Sequence, residues 1–157
     1  MINATTTRVA TLAELAALEG KPLGTSSWIE VPQDRINTFA AATGEHQWIH
    51  VDPERATAES PFGGPIAHGC LTLSLIVPMW DEVLKVDSAT MGINYGLNKV
   101  RFTNPVPTKG GIRLNATLLK AEVLPKGGVQ VTVDAKIELE GAERPALVAE
   151  AVYRYFE

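Results

Sequence analysis

Val129, Val131, Val133, Ala135, Ile137 and Leu139 occupy every second position of one segment, with mostly polar residues between them. A period of two sends alternate side chains to opposite faces of a strand, so this segment has one core face and one wetter face. Three more segments are strand-like: Met91 to Phe102, Ile112 to Leu124 and Leu147 to Phe156. The turn signals between them are Asn104-Pro105-Val106-Pro107, Pro125-Lys126-Gly127-Gly128 and Gly141-Ala142-Glu143-Arg144-Pro145. Half-buried strands joined by short turns predict an antiparallel meander.

Such a sheet needs an apolar partner, and the sequence supplies one just upstream. Ala67 to Leu84 is almost free of charge until Asp81 and carries Leu71, Leu73, Leu75, Ile76, Val77, Met79 and Trp80. Hydrophobic nearly all round, it reads as a buried central helix, with Pro78 predicting a kink or an early end. A sheet wrapped about one apolar helix is the economical packing, which makes the fold α+β. Earlier in the chain, Leu12, Leu15, Ala16 and Leu18 predict a short amphipathic helix ending at Gly20, within an N-terminal extension over residues 1–20. Trp28 to Val31 suits an edge strand, and Asp34 opens a helix that runs to Gly44. Glu45 to Asp52 reads as a loop, Pro53-Glu54-Arg55-Ala56 as one helical turn with proline at its first position, and Ser60 to Pro65 as a second loop. With 157 residues and 45% hydrophobic content, a single domain spanning 1–157 is expected.

Several functional classes lose support on composition. A net charge of -4 with no basic block gives no electrostatic footprint for nucleic acid or an anionic membrane. No apolar run approaches the ~20 residues that span a bilayer, and Met1 to Val9 lacks the charged start and apolar core of a signal peptide. One cysteine, Cys70, forms no internal disulfide and reads as a small buried hydrophobe. A cytoplasmic protein is expected.

The chemistry concentrates in Gly44-Glu45-His46-Gln47-Trp48-Ile49-His50-Val51-Asp52-Pro53. A carboxylate and an imidazole five positions apart do not share a helical face, so Glu45 and His50 converge on one small molecule only if the backbone turns between them. Gly44 and Pro53 frame such a turn. Their reference pKa values, ~4.3 and ~6.5, make both protonation states of each accessible with modest tuning. On spacing alone, Glu45 can equally be a solvated charge and His50 a core imidazole bonded to a carbonyl. His46 and His50, at i and i+4, can also bind zinc with Glu45 or His68 if the segment is helical.

Phe39-Ala40-Ala41-Ala42-Thr43-Gly44 through Pro53-Glu54-Arg55-Ala56 resembles the hydratase motif of the MaoC-like, (R)-specific enoyl-CoA hydratases, closest to the branch that includes nodulation protein N and mycobacterial short-chain (R)-hydratases. Pro65-Ile66-Ala67-His68-Gly69 and Ile93-Asn94-Tyr95-Gly96-Leu97-Asn98-Lys99-Val100-Arg101-Phe102 resemble two further blocks of that branch. The resemblance implies a hot-dog fold and a homodimer binding an acyl-CoA or acyl-carrier-protein thioester near the subunit interface, with no cofactor and no metal. It implies Glu45 and His50 as the catalytic pair holding a water, and the backbone N–H of Gly69 as the oxyanion donor. Gln47, His68, Asn94, Tyr95, Gly96 and Asn98 are the implied substrate-binding residues. Asn94, Tyr95 and Asn98 are equally suited to sheet or dimer contacts, and His68 to a hydrogen bond near the helix start. The chain departs from the family at Glu45, where aspartate is commoner, and at Gln47-Trp48, where asparagine-proline is common. A hot-dog thioesterase or a non-catalytic acyl-thioester-binding protein remains open.

Overall fold

The computed structural model describes residues 3–157. In its first half the chain forms β1 (Thr7–Val9), α1 (Leu12–Ala16), β2 (Pro22–Thr25), β3 (Ile29–Val31), α2 (Gln33–Thr43), α3 (Trp48–Val51) and α4 (Pro53–Glu59). The second half comprises α5 (Gly69–Ser74), α6 (Ile76–Val83), β4 (Leu84–Val86), β5 (Met91–Phe102), β6 (Gly110–Val123), β7 (Val129–Leu139) and β8 (Leu147–Phe156).

The four long strands form as the alternation requires. Ile112, Leu114, Ala116 and Leu118 of β6, the alternating residues Val129 to Ile137 of β7, and Leu147, Ala149, Ala151 and Tyr153 of β8 are buried in one continuous core. The six-stranded sheet is antiparallel throughout, in the order β2-β6-β7-β8-β5, with β3 also paired to β6. β1 and β4 make a separate two-stranded parallel pair.

The central helix packs on this sheet through Leu71, Leu75, Ile76, Met79, Trp80 and Val83. It is two pieces. Pro78 has no N–H to offer the Ser74 carbonyl and its ring crowds that oxygen, so regular hydrogen bonding fails one turn upstream, between α5 and α6. Trp80 then pins α6 to β8: its ring stacks on Tyr153 at 4.9 Å and its Nε1–H donates to the Tyr155 hydroxyl at 2.7 Å.

Local chemistry accounts for the smaller helices. Thr11 caps α1 by accepting the Glu14 N–H, and Leu12 and Leu15 join the core. Gly44, at φ 82°, ends α2 in the left-handed region, which glycine adopts without steric cost. Asp52 caps α4 by accepting the Arg55 N–H, with Pro53 at the first helical position. The segment expected to be a loop, Glu45 to Asp52, contains the single turn α3, which is too short to leave a periodic signal. β1, β2 and β4, three or four residues each, are likewise absent from the sequence pattern.

β2 and β3 lie end to end along one edge of β6, and Ser26 joins them. Its backbone N–H donates to the Leu114 carbonyl and its Oγ accepts the Leu114 N–H, both at 2.9 Å. The hydroxyl thus stands in for a missing ladder carbonyl at a buried position. Ser26→Ala should leave the Leu114 N–H unpaired and cost about 1–3 kcal/mol in urea unfolding. Unchanged stability would show that this hydrogen bond contributes nothing net.

Candidate active site

After Gly44 the backbone leaves α2, crosses Glu45 to Gln47 and enters α3, whose turn carries His50 inward. His50 is 8% exposed. Its Nδ1–H donates to the Ile66 carbonyl at 2.7 Å, while the Ile66 N–H donates to the Ile49 carbonyl at 3.0 Å. Ile66 therefore grips α3 through both of its backbone groups. A carbonyl only accepts, so Nδ1 carries the proton and Nε2 of the neutral ring keeps its lone pair. Gln33, at the start of α2, adds a third restraint by donating Nε2–H to the His50 carbonyl at 2.7 Å.

His50 lines a cavity of about 300 Å³ together with Phe62, Thr72, Phe102, Ala146 and the first residue of α5, Gly69. The walls are largely apolar, as a pocket for an acyl group requires. A Cβ on Gly69 would stand 2.9 Å from the Phe102 ring, so glycine is what lets that ring lie over the start of the helix. The Gly69 N–H belongs to the first helical turn, where no intrahelical acceptor exists. Phe62, Thr72, Phe102 and Ala146 are wall residues to which the sequence assigned no role; Phe102 ends the quoted Ile93 to Phe102 block and Phe62 lies in the loop from Ser60 to Pro65.

His68, the residue before Gly69, does not line the cavity. It is 3% exposed, its ring stacks on His50 with centroids 4.0 Å apart, and its Nε2–H donates to the backbone carbonyl of Glu45 at 3.0 Å. It stands behind the imidazole, away from the space a substrate would fill.

Glu45 and Gln47 are exposed and do not line the cavity. Oε1 of Glu45 accepts the Gln47 N–H at 3.2 Å, so the side chain turns back onto its own loop. Asn94 lies in a separate cleft beside the central helix, with Ser74, Val77 and Tyr153. Tyr95, Gly96 and Asn98 line a groove with Lys120, Gln130 and Thr132. None of these four lines the His50 cavity of the same chain. The pairing of β5 with β8 shifts register between Asn94 and Gly96 and between Leu97 and Val100. Cys70 is exposed on α5 rather than buried. His46 is exposed and precedes α3, so it shares no helical face with His50. Among the described residues no group of three His, Cys, Asp or Glu side chains could hold a metal ion.

Burial holds the His50 imidazole below its ordinary value of 6.5, and His68 adds to the depression. The Ile66 carbonyl and the Glu45 charge act in the opposite sense. The folded protein thus resists a proton that the unfolded chain accepts. The stability contributed by neutral His50 is complete above the unfolded pKa, about 6.5, and is lost as pH falls through the lower folded value. NMR titration of the His50 ring should give a midpoint below 6.5, and a midpoint above it would contradict the burial argument.

The MaoC like domain model matches residues 14–139. The chain is 49% identical over 144 residues to 3-hydroxyacyl-thioester dehydratase Z of Mycobacterium tuberculosis, covering 92% of this chain and 95% of that protein. It is 46% identical over 139 residues to nodulation protein N of Rhizobium leguminosarum bv. viciae, covering 88% and 86%. The unliganded R-hydratase PhaJ1 of Pseudomonas aeruginosa superposes with a TM-score of 0.71 at 26% identity, covering 94% of this chain and 86% of that one. A sheet wrapped on a central helix, most of the length matched by one family model and two near full-length relatives together assign the chain to the MaoC-like domain family, with its hot-dog fold.

Proposed function

We propose that this chain is an (R)-specific 2-enoyl-thioester hydratase and 3-hydroxyacyl-thioester dehydratase, acting through Glu45, His50 and the N–H of Gly69. The observation that carries the proposal is His50: a buried imidazole anchored at Nδ1, with Nε2 as its remaining basic nitrogen, on the wall of an apolar cavity that also contains the start of α5. In hydration, His50 Nε2 takes a proton from water as the water oxygen bonds to C3. The C2–C3 π electrons move toward the thioester oxygen, whose growing charge is met by the Gly69 N–H. The Glu45–His50 pair then returns a proton to C2, so one water is consumed and the enzyme is restored. Dehydration is the reverse. Near neutrality the depressed basicity of His50 keeps it in the form that can accept the first proton.

The relatives named as a dehydratase and an R-hydratase support an acyl thioester as substrate, carried on coenzyme A or a carrier protein. No helix among the described residues is long and apolar enough to cross a membrane. A cytoplasmic location fits the single cysteine.

With crotonyl-CoA and no added nicotinamide, flavin or metal, absorbance of the conjugated thioester should fall and the (R)-3-hydroxyacyl product should form. Thiol release with the double bond intact would establish a thioesterase instead. His50→Ala and Glu45→Gln should each lower turnover by ~10²–10⁴-fold with the fold retained. The double variant should be little worse than either, because both groups act on one water. The turned-back Glu45 carboxylate favours one rival, an acyl-binding protein without turnover. Wild-type protein that binds crotonyl-CoA but leaves it unchanged would establish that rival.

The proposed assembly is a homodimer joined along β5. Among the described residues this twelve-residue edge strand pairs only with β8, and it exposes Met91, Ile93, Tyr95, Leu97 and Phe102. A long apolar edge invites pairing with another strand. Sedimentation should show a dimer at micromolar concentration, and Ile93→Lys combined with Leu97→Lys should shift it to monomer. A monomeric wild-type protein with full activity would remove the dimer from the account.

A further inference from the structure

We propose that His68 is a positioning residue for the Glu45–His50 pair, holding the Glu45 loop through a hydrogen bond and the His50 ring through its face. The inference rests on the hydratase assignment above and concerns a residue that touches no substrate in it.

Three elements meet at this one side chain. Its Nε2–H donates to the Glu45 carbonyl at 3.0 Å, tying down the loop that carries the carboxylate. One ring face lies against His50, 4.0 Å between centroids at 26°, and the ring also contacts Phe39 at 4.9 Å and 52°. Its backbone caps α5, with the His68 carbonyl accepting from Leu71 and Thr72, so the next N–H in the chain is that of Gly69. A shift of His68 therefore displaces the carboxylate loop, the imidazole and the oxyanion donor together.

Its tautomer is constrained as well. Nε2 must carry the proton that the Glu45 carbonyl accepts. Nδ1 is buried with no hydrogen-bond partner among the described residues. The charged and titratable groups facing His50 are His68 from the α5 cap and Glu45 from the loop, while the other residues lining the cavity are uncharged.

Two substitutions separate the functions. His68→Phe keeps a ring between Phe39 and His50 but removes the donor to Glu45. It should lower kcat about tenfold or more with KM little changed, since small displacements at a reacting centre cost ~10²-fold in rate. His68→Gln can keep the donor but loses the ring, admitting water to His50. It should retain more of kcat and move the acid limb of kcat/KM to higher pH. Wild-type kcat and an unmoved acid limb in both variants, with only a lowered Tm, would reduce His68 to a structural residue and overturn the proposal. Full turnover in His50→Ala would instead overturn the hydratase assignment, whatever the His68 variants do. If neither variant folds, ring 15N shifts of the wild-type protein decide: His68 protonated at Nε2 alone supports the proposal, and protonation at Nδ1 overturns it.

Discussion

The hydrogen bond from His50 Nδ1–H to the Ile66 carbonyl organises the site. It fixes which nitrogen carries the proton, fixes the plane of the ring, and joins α3 to the segment that becomes α5. Ile66 is held in turn by its N–H to Ile49, and the neighbouring Ala67 N–H donates to the Val106 carbonyl. The basic nitrogen and the Gly69 N–H are thereby placed by backbone contacts between segments, rather than by flexible side chains. Backbone anchoring of this kind keeps a reacting geometry within tolerances that a mobile loop could not hold.

The carboxylate is placed differently. Glutamate is one methylene longer than the aspartate common in the family, and here its Oε1 accepts the Gln47 N–H. The backbone carbonyl of Glu45 is tethered by His68 while the residue remains exposed. Its charge still acts on His50, opposing the loss of basicity that burial causes. Glu45 therefore has two separable attachments to the site, one through its backbone and one through its field. Substrate that covers Glu45 would strengthen the second by excluding water.

What the sequence made legible follows from the physical range of each signal. The four long strands, the apolar helix, Gly44 as a helix stop and Pro53 as a helix start all rest on patterns local to a few residues, and all appear in the structure. The turn α3 and the short strands β1, β2 and β4 escaped, since three or four residues cannot establish a period. Pro78 announced a break whose position, at Leu75, is set by the carbonyl four residues earlier. At the site, the motif singled out His50 and Gly69, which the structure brings to one cavity. It could not show the stack of His68 on His50, an eighteen-residue tertiary contact, nor the register shifts within β5. Resemblance located the residues, and only the fold assigned His68 a place behind the imidazole.

The central claim is that His50 presents a bare Nε2 because Nδ1 is committed to Ile66. Ring 15N chemical shifts of His50 near pH 7.5, read from two-bond correlations in uniformly labelled protein, test this directly. The account predicts a neutral ring protonated at Nδ1, with the Nε2 shift moving on addition of a non-hydrolysable enoyl-thioester analogue. A ring protonated at Nε2, or one that stays doubly protonated at that pH, would contradict it.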